Sequence, residues 1–192
     1  MSVSRENKVI NKALRNVFSG DSHYSKYADE EEINTIDILS CSDSPSAGLT
    51  SFGTLGLSDY SIGKEIDGVP LGVEFVGTCR SEFNFFPNII ATCAFNIINS
   101  KYKCEPGTIF ENIVGMYIDS PMKHILFTNP FVWAKKLETL YLQPNKIVAW
   151  LLMVPISDTE YEYSILNSVE KLESLFDKEE IDLFDPFRKS VL

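Results

Sequence analysis

The sequence predicts an α+β domain, a mixed and mostly antiparallel sheet packed with helices. Three observations carry this. Stretches such as "VPLGVEFVGTC" (69–79) and "IVAWLLMV" (147–154) have the length and apolar, β-branched composition of strands. Two other stretches repeat apolar residues at helical spacing. The two kinds of segment do not alternate in the strand–helix rhythm of a doubly wound sheet. The chain has 192 residues, 44% of them apolar and 12% aromatic, which is enough for one sizeable core. We therefore expect a single domain over 1–192 with an N-terminal helix at about 1–20.

The elements follow in order. Ile10, Ala13, Leu14, Val17 and Phe18 form one buried helical stripe, and Gly20 stops it. "SGDSHYSKY" reads as a polar loop, and a strand follows near 33–41. "CSDSPSAG" is a turn cluster, and "GKEIDG" is another. Between them lies "GLTSFGTLGLSDYSI" (48–62), which alternates like a strand but carries three glycines. After the strand at 69–79, Pro87 opens a helix with Ile90, Cys93, Ala94, Ile97 and Ile98 on its inner side. Its few charges suit burial on more than one side. Strands are expected at 113–118 and 123–128. Asn129 and Pro130 then look like the cap and first turn of a helix over "FVWAKKLETLYL". The run at 147–154 is too short to span a bilayer and fits a strand buried on both faces. Ser157 with Glu160, and Asn167 with Glu170, have capping-box spacing.

The net charge is −10, and two segments carry more than all of it. "ADEEE" gathers Asp29, Glu30, Glu31 and Glu32; residues 158–185 hold ten acids against Lys171 and Lys178. Such a field repels nucleic acid and anionic membrane and attracts a basic partner. These acids form either solvated faces or a partner-facing surface. The aromatic residues beside them, Tyr24 and Tyr27 next to "ADEEE", and Tyr161 and Tyr163 beside Glu160 and Glu162, either anchor that partner or cap the core.

No catalytic constellation assembles. His23 and His124 have no metal-ligand partner at helical spacing, and His124 lies in an apolar strand-like run that suits a structural role. The glycine-rich stretch fails three tests. A phosphate loop needs GxxxxGK[ST], but Lys64 precedes Glu65. A dinucleotide fingerprint needs GxGxxG, and "GTLG" lacks the first pair. A nucleophile elbow needs GxSxG, and Ser51 sits between Thr50 and Phe52. What remains is a strand whose glycines permit a bulge or close backbone packing. Cys41, Cys79, Cys93 and Cys104 are far apart, form no CxxC pair and read as reduced core residues of a cytosolic protein. "MSVSRENK" has no apolar run after its charges, so no secretory signal is expected.

One ordered set of weak motifs remains. The glycine-rich strand precedes "VEFV" (73–76); "HILF" (124–127) leads to Pro130; "VPIS" leads to Glu160; and the chain closes on Asp185, Pro186, Arg188 and Ser190. From about Thr35 to the C-terminus this order resembles the suppressor-of-fused-like domain family, in its bacterial immunity branch. The resemblance implies a suppressor-of-fused-like sandwich, a cytosolic location, no catalysis and no cofactor. It also implies the role of an antitoxin, or immunity protein, that binds and neutralises a secreted LXG-type polymorphic toxin with a nuclease C-terminal domain. The matching positions are mainly apolar or glycine, so they carry the fold and bring no contact residue with them. The family's usual Trp in the Pro-containing helix is absent at 87–90. The other reading is a non-catalytic cytosolic regulator that sequesters another host protein.

Overall fold

A computed structural model describes residues 4–134, 136–142 and 145–192. Helix α1 (Arg5–Val17) opens the chain, with Ser4 Oγ accepting the Asn7 amide as its N-cap. A hairpin follows, β1 (Ser22–Ala28) and β2 (Thr35–Ser42), then β3 (Leu49–Leu55), β4 (Lys64–Ile66) and β5 (Val69–Arg80). Helix α2 (Phe86–Ile98) leads to β6 (Ile109–Phe110), β7 (Met122–Thr128), β8 (Leu140–Leu142) and β9 (Lys146–Ser157). Helices α3 (Asp158–Leu166) and α4 (Val169–Lys178) precede an irregular C-terminal segment.

The strands form one sheet in the order β1-β2-β3-β5-β9-β7-β6, with β4 added to β5 and β8 to β9. All of these pairings are antiparallel except the central one, β5 with β9. Strand alternation divides the core. Val73, Phe75, Leu151, Met153, Ile125 and Phe127 face α2, whose Phe86, Ile90 and Ile97 are fully buried. Leu39, Val76, Leu126, Trp150, Leu152 and Val154 face the other way, onto α1 and α4. Both faces of β5 and β9 are therefore buried, which explains the unbroken hydrophobic run of β9; β5 carries one buried acid, Glu74, within its run.

Gly53 lies under α1. A Cβ there would stand 2.7 Å from Leu14 Cδ1, so the missing side chain lets the helix sit against β3. This is the close packing expected of the glycine-rich stretch.

Several elements depart from the sequence reading. "SHYSKYA" is a strand, not a loop, and it pairs along its whole length with β2. Its polar composition suits an edge strand, which needs only one partner. "KEI" pairs with β5 through an Asp67–Gly68 turn, a hairpin signature inside what looked like a simple turn. The expected strand at 113–118 is a 3-10 turn at Val114–Met116; Asn112, at φ 55°, ends the extended backbone begun by β6. The expected helix after Pro130 stops after a 3-10 turn at Phe131–Trp133, and Leu140–Leu142 pair with β9 instead. Lys135, within that stretch, lies outside the described residues. Ser168 rather than Asn167 caps α4, with its Oγ accepting the Lys171 amide.

Candidate partner-binding surface

The acidic loop joins β1 to β2. Asp29 builds it: one carboxylate oxygen accepts the Ile33 and Asn34 amides at 2.8 and 3.1 Å, and the other accepts Asn34 Nδ2 at 3.1 Å. Desolvation pushes the Asp29 carboxyl up, but the Asn34 and Ile33 donors outweigh it and hold the carboxyl below its ordinary value. Asp29 thus serves the turn. Glu30, Glu31 and Glu32 project from it, all exposed and without a cationic partner among the described residues.

Asn34 Nδ2 also donates to Asn99 Oδ1 at 3.0 Å, tying the loop to the C-terminal end of α2. Between loop and helix runs an open groove of about 840 Å³. Tyr27, Glu30, Glu31, Ile33, Met116 and Tyr117 line it. Ile33 is 71% and Met116 63% exposed, which is unusual for side chains of their size. Tyr27 packs partly against the α2-side core, and burial pushes its hydroxyl up. Tyr24, three residues earlier, points to the opposite face, where its hydroxyl donates to Asn11 Oδ1 of α1 at 3.0 Å.

The second group of predicted contacts lies on α3, against the other core. Glu160 is fully buried and cannot be a surface contact. Its carboxylate closes a capping box with Ser157 and takes Arg188 Nη1 and Nη2 at 2.6 and 2.8 Å. The acid was read as exposed because its neighbours are polar; tertiary packing with the C-terminal segment buries it. Tyr161 stacks on His124 with ring centroids 4.8 Å apart, and its hydroxyl donates to Glu111 at 2.8 Å. Tyr163 packs partly into the same core, and Glu162 is exposed. The structure therefore does not unite the predicted residues. Tyr27, Asp29, Glu30 and Glu31 share the groove on the α2 face, with Glu32 on the same loop; Glu160–Tyr163 and the Tyr24 hydroxyl do not.

Ile33, Met116 and Tyr117 escaped the sequence reading. All three fall in stretches whose composition suits strands, at 33–41 and 113–118, and nothing local marks Ile33 as a neighbour of Met116 and Tyr117.

His124 is 7% exposed, with Nδ1 accepting the Asn112 amide at 3.1 Å and Nε2 2.9 Å from Asp158 Oδ1, the structural role expected of it. His23 lies on the exposed edge strand β1. All four cysteines are free and buried, and burial pushes the Cys79 thiol up to about 12. Among the described residues no group of three or more His, Cys, Asp or Glu is placed to hold a metal ion.

The glycine-rich stretch is a cradle after all, but for an internal carboxyl group. β3 stops pairing with β5 after Gly53, and β4 takes over only at Leu71. Glu74, fully buried, fills the gap. Its carboxylate accepts Thr54 Oγ1 at 2.6 Å, Ser58 Oγ at 2.7 Å, and the amides of Gly56, Leu57 and Ser58 at 3.1, 3.3 and 3.0 Å. Gly56 sits at φ 98°, where a side chain would strain the turn that aims these amides. Burial pushes the Glu74 carboxyl up, opposed by the Thr54, Ser58 and Gly56 donors.

Residues 33–189 match the sequence profile of the suppressor of fused protein (SUFU) family. The chain belongs to the suppressor of fused family. It is 44% identical to immunity protein YqcF of Bacillus subtilis (strain 168), over 100% of both chains. The fold resembles a suppressor of fused homologue from Neisseria gonorrhoeae, with TM-score 0.76 and 21% identity over 97% of each chain. It also resembles the structure of the Sufu–Fu complex, with TM-score 0.67 and 12% identity over 97% of this chain and 92% of that one. Drosophila Suppressor of Fused gives TM-score 0.57 and 13% identity over 94% of this chain and 45% of that one. Likeness along its whole length to an immunity protein supports an immunity role, that of a binding protein and not an enzyme. Among the described residues no helix is long and apolar enough to cross a membrane.

Proposed function

We propose that this protein is a cytoplasmic immunity protein that binds and neutralises a cognate secreted LXG-type toxin through the toxin's nuclease domain. The observation that carries this is the 44% identity to an immunity protein over the full length of both chains. The charge distribution supports it. A nuclease domain must attract phosphates and is basic around its active site. A chain of net charge −10 with exposed carboxylates on one loop, unpaired among the described residues, suits such a partner, and electrostatic steering speeds an encounter that must precede damage.

The test is growth rescue. The nuclease domain encoded beside this gene is induced with and without this protein, and the pair is isolated by size exclusion. Rescue with a one-to-one complex is expected. Growth arrest despite soluble expression of both would overturn the proposal, and capture of another host protein would then favour a sequestering regulator.

A further inference from the structure

We infer that the groove between the β1–β2 loop and the end of α2 seats a basic segment of the toxin that also carries an apolar side chain. This rests on the immunity reading and names the surface and the chemistry that it uses.

The groove joins two features that neighbouring residues rarely share. Its rim carries Glu30 and Glu31, exposed and without a cation partner among the described residues. Its wall presents Ile33, Met116 and Tyr117, the last 37% exposed. Large apolar side chains gathered around one concave site, rimmed by charge, are the pattern of an interaction surface rather than of scattered exposure.

The electrostatics select the occupant. The C-terminal end of α2 borders the groove, and carbonyls at a helix C-terminus carry partial negative charge. No basic residue lies in the last turn of α2. Lys101, the one cation among the lining residues, donates to the Ile98 carbonyl and stands 5.9 Å from the centroid of the Tyr60 ring. It is engaged with the helix end and the wall, and leaves Glu30 and Glu31 without a cation partner among the described residues. Phosphates are repelled here, which disfavours a nucleic acid. A second copy of this chain would bring its own net charge of −10 to an acidic rim. A Lys- or Arg-bearing segment answers the acidic rim, and an apolar neighbour in that segment covers Ile33 and Met116. The geometry also divides the work: the rim governs the encounter, and the apolar wall governs residence.

The loop is preorganised for this. The three bonds to Asp29 and the Asn34–Asn99 bridge hold it against α2, so little ordering is left for binding.

The experiment measures association and dissociation of the purified, catalytically inactivated nuclease domain on immobilised full-length protein. The Glu30→Lys/Glu31→Lys variant is expected to slow association by about tenfold or more at low salt. Met116→Asp is expected to raise the dissociation rate by a similar factor, about tenfold. Asp177→Lys/Glu179→Lys, an equal charge change on the α4 side, controls for net charge and is expected to stay within about threefold of wild type. All three changes are at exposed positions, and unchanged melting temperatures exclude misfolding. Two outcomes separate the ideas. If wild type binds and rescues growth while the groove variants bind like it, the groove assignment is overturned and the immunity reading stands. If wild type neither binds nor rescues, both fall.

Discussion

Arg188 grips both carboxylate oxygens of Glu160, at 2.6 and 2.8 Å, with the acid fully buried and Arg188 itself 8% exposed. The same guanidinium reaches the Pro155 and Lys189 carbonyls and lies 5.4 Å from the Phe176 ring centroid. Around it, Ser190 Oγ meets Ser157 Oγ at 2.8 Å, and Ser120 Oγ donates to the Pro186 carbonyl at 2.5 Å. Two motifs separated in sequence, the late strand with Glu160 in the first turn of the helix that follows it and the terminal segment with Arg188, thus form one buried clamp.

Removing one partner of a buried ion pair leaves the other uncompensated, which costs about 3–5 kcal/mol. Arg188→Leu is expected to lower stability by that order in a denaturant titration. The pH dependence follows from Glu160. Burial alone pushes its carboxyl up, but the Arg188 guanidinium and the Ser157 and Val191 amides more than offset this and hold it below its ordinary value. A depressed folded value contributes stability that is present above the unfolded glutamate value, about 4.3, and lost as pH falls through the folded value. Glu160→Gln is therefore expected to flatten the loss of stability below about pH 4.3. An unaltered acid limb would show that other carboxylates drive it.

Gly53→Val is expected to destabilise by about 1–3 kcal/mol, because Leu14 is fully buried and has little room to retreat. A double-mutant cycle checks the cause. Leu14→Ala makes space, so the pair of changes should cost less than the sum of the two alone. Strict additivity would mean that the helix is not seated on Gly53.

Glu74 has five donors and no cation within hydrogen-bonding reach among the described residues. Glu74→Gln turns an amide NH₂ toward donors, and leaving buried donors unmatched costs about 1–3 kcal/mol each. We expect lower stability and faster hydrogen exchange at the Gly56, Leu57 and Ser58 amides. Unchanged exchange there would show that the turn holds its shape without the carboxylate.

Neutralising Glu30, Glu31 and Glu32 together to Gln is expected to slow toxin association at low salt and leave the melting temperature unchanged, since all three are exposed and have no cationic partner among the described residues. An unchanged on-rate at low salt would remove the acidic loop from the encounter.

The sequence by itself determined the elements that bury their own stripe or run. α1 and α2 declare themselves by period, β9 by its continuous apolar run, β5 by its β-branched and aromatic composition, and α3 by its Ser157–Glu160 box, because each of these signals is local. It also placed the acidic loop and gave His124 its structural role. Tertiary structure decided the rest. β1 and β4 exist because a neighbour supplies hydrogen bonds that their polar residues do not advertise, and Leu140–Leu142 join β9 although their spacing suits a helix. Strand parity sent Tyr24 and Tyr27 to opposite faces. The C-terminal segment buried Glu160, and folding brought Ile33 to Met116 and Tyr117, some eighty residues later, around one groove. Propensity and period act over a turn or two of chain. Pairing, burial and the choice of which charge stays in water are settled by residues far apart in sequence, and no local pattern encodes them.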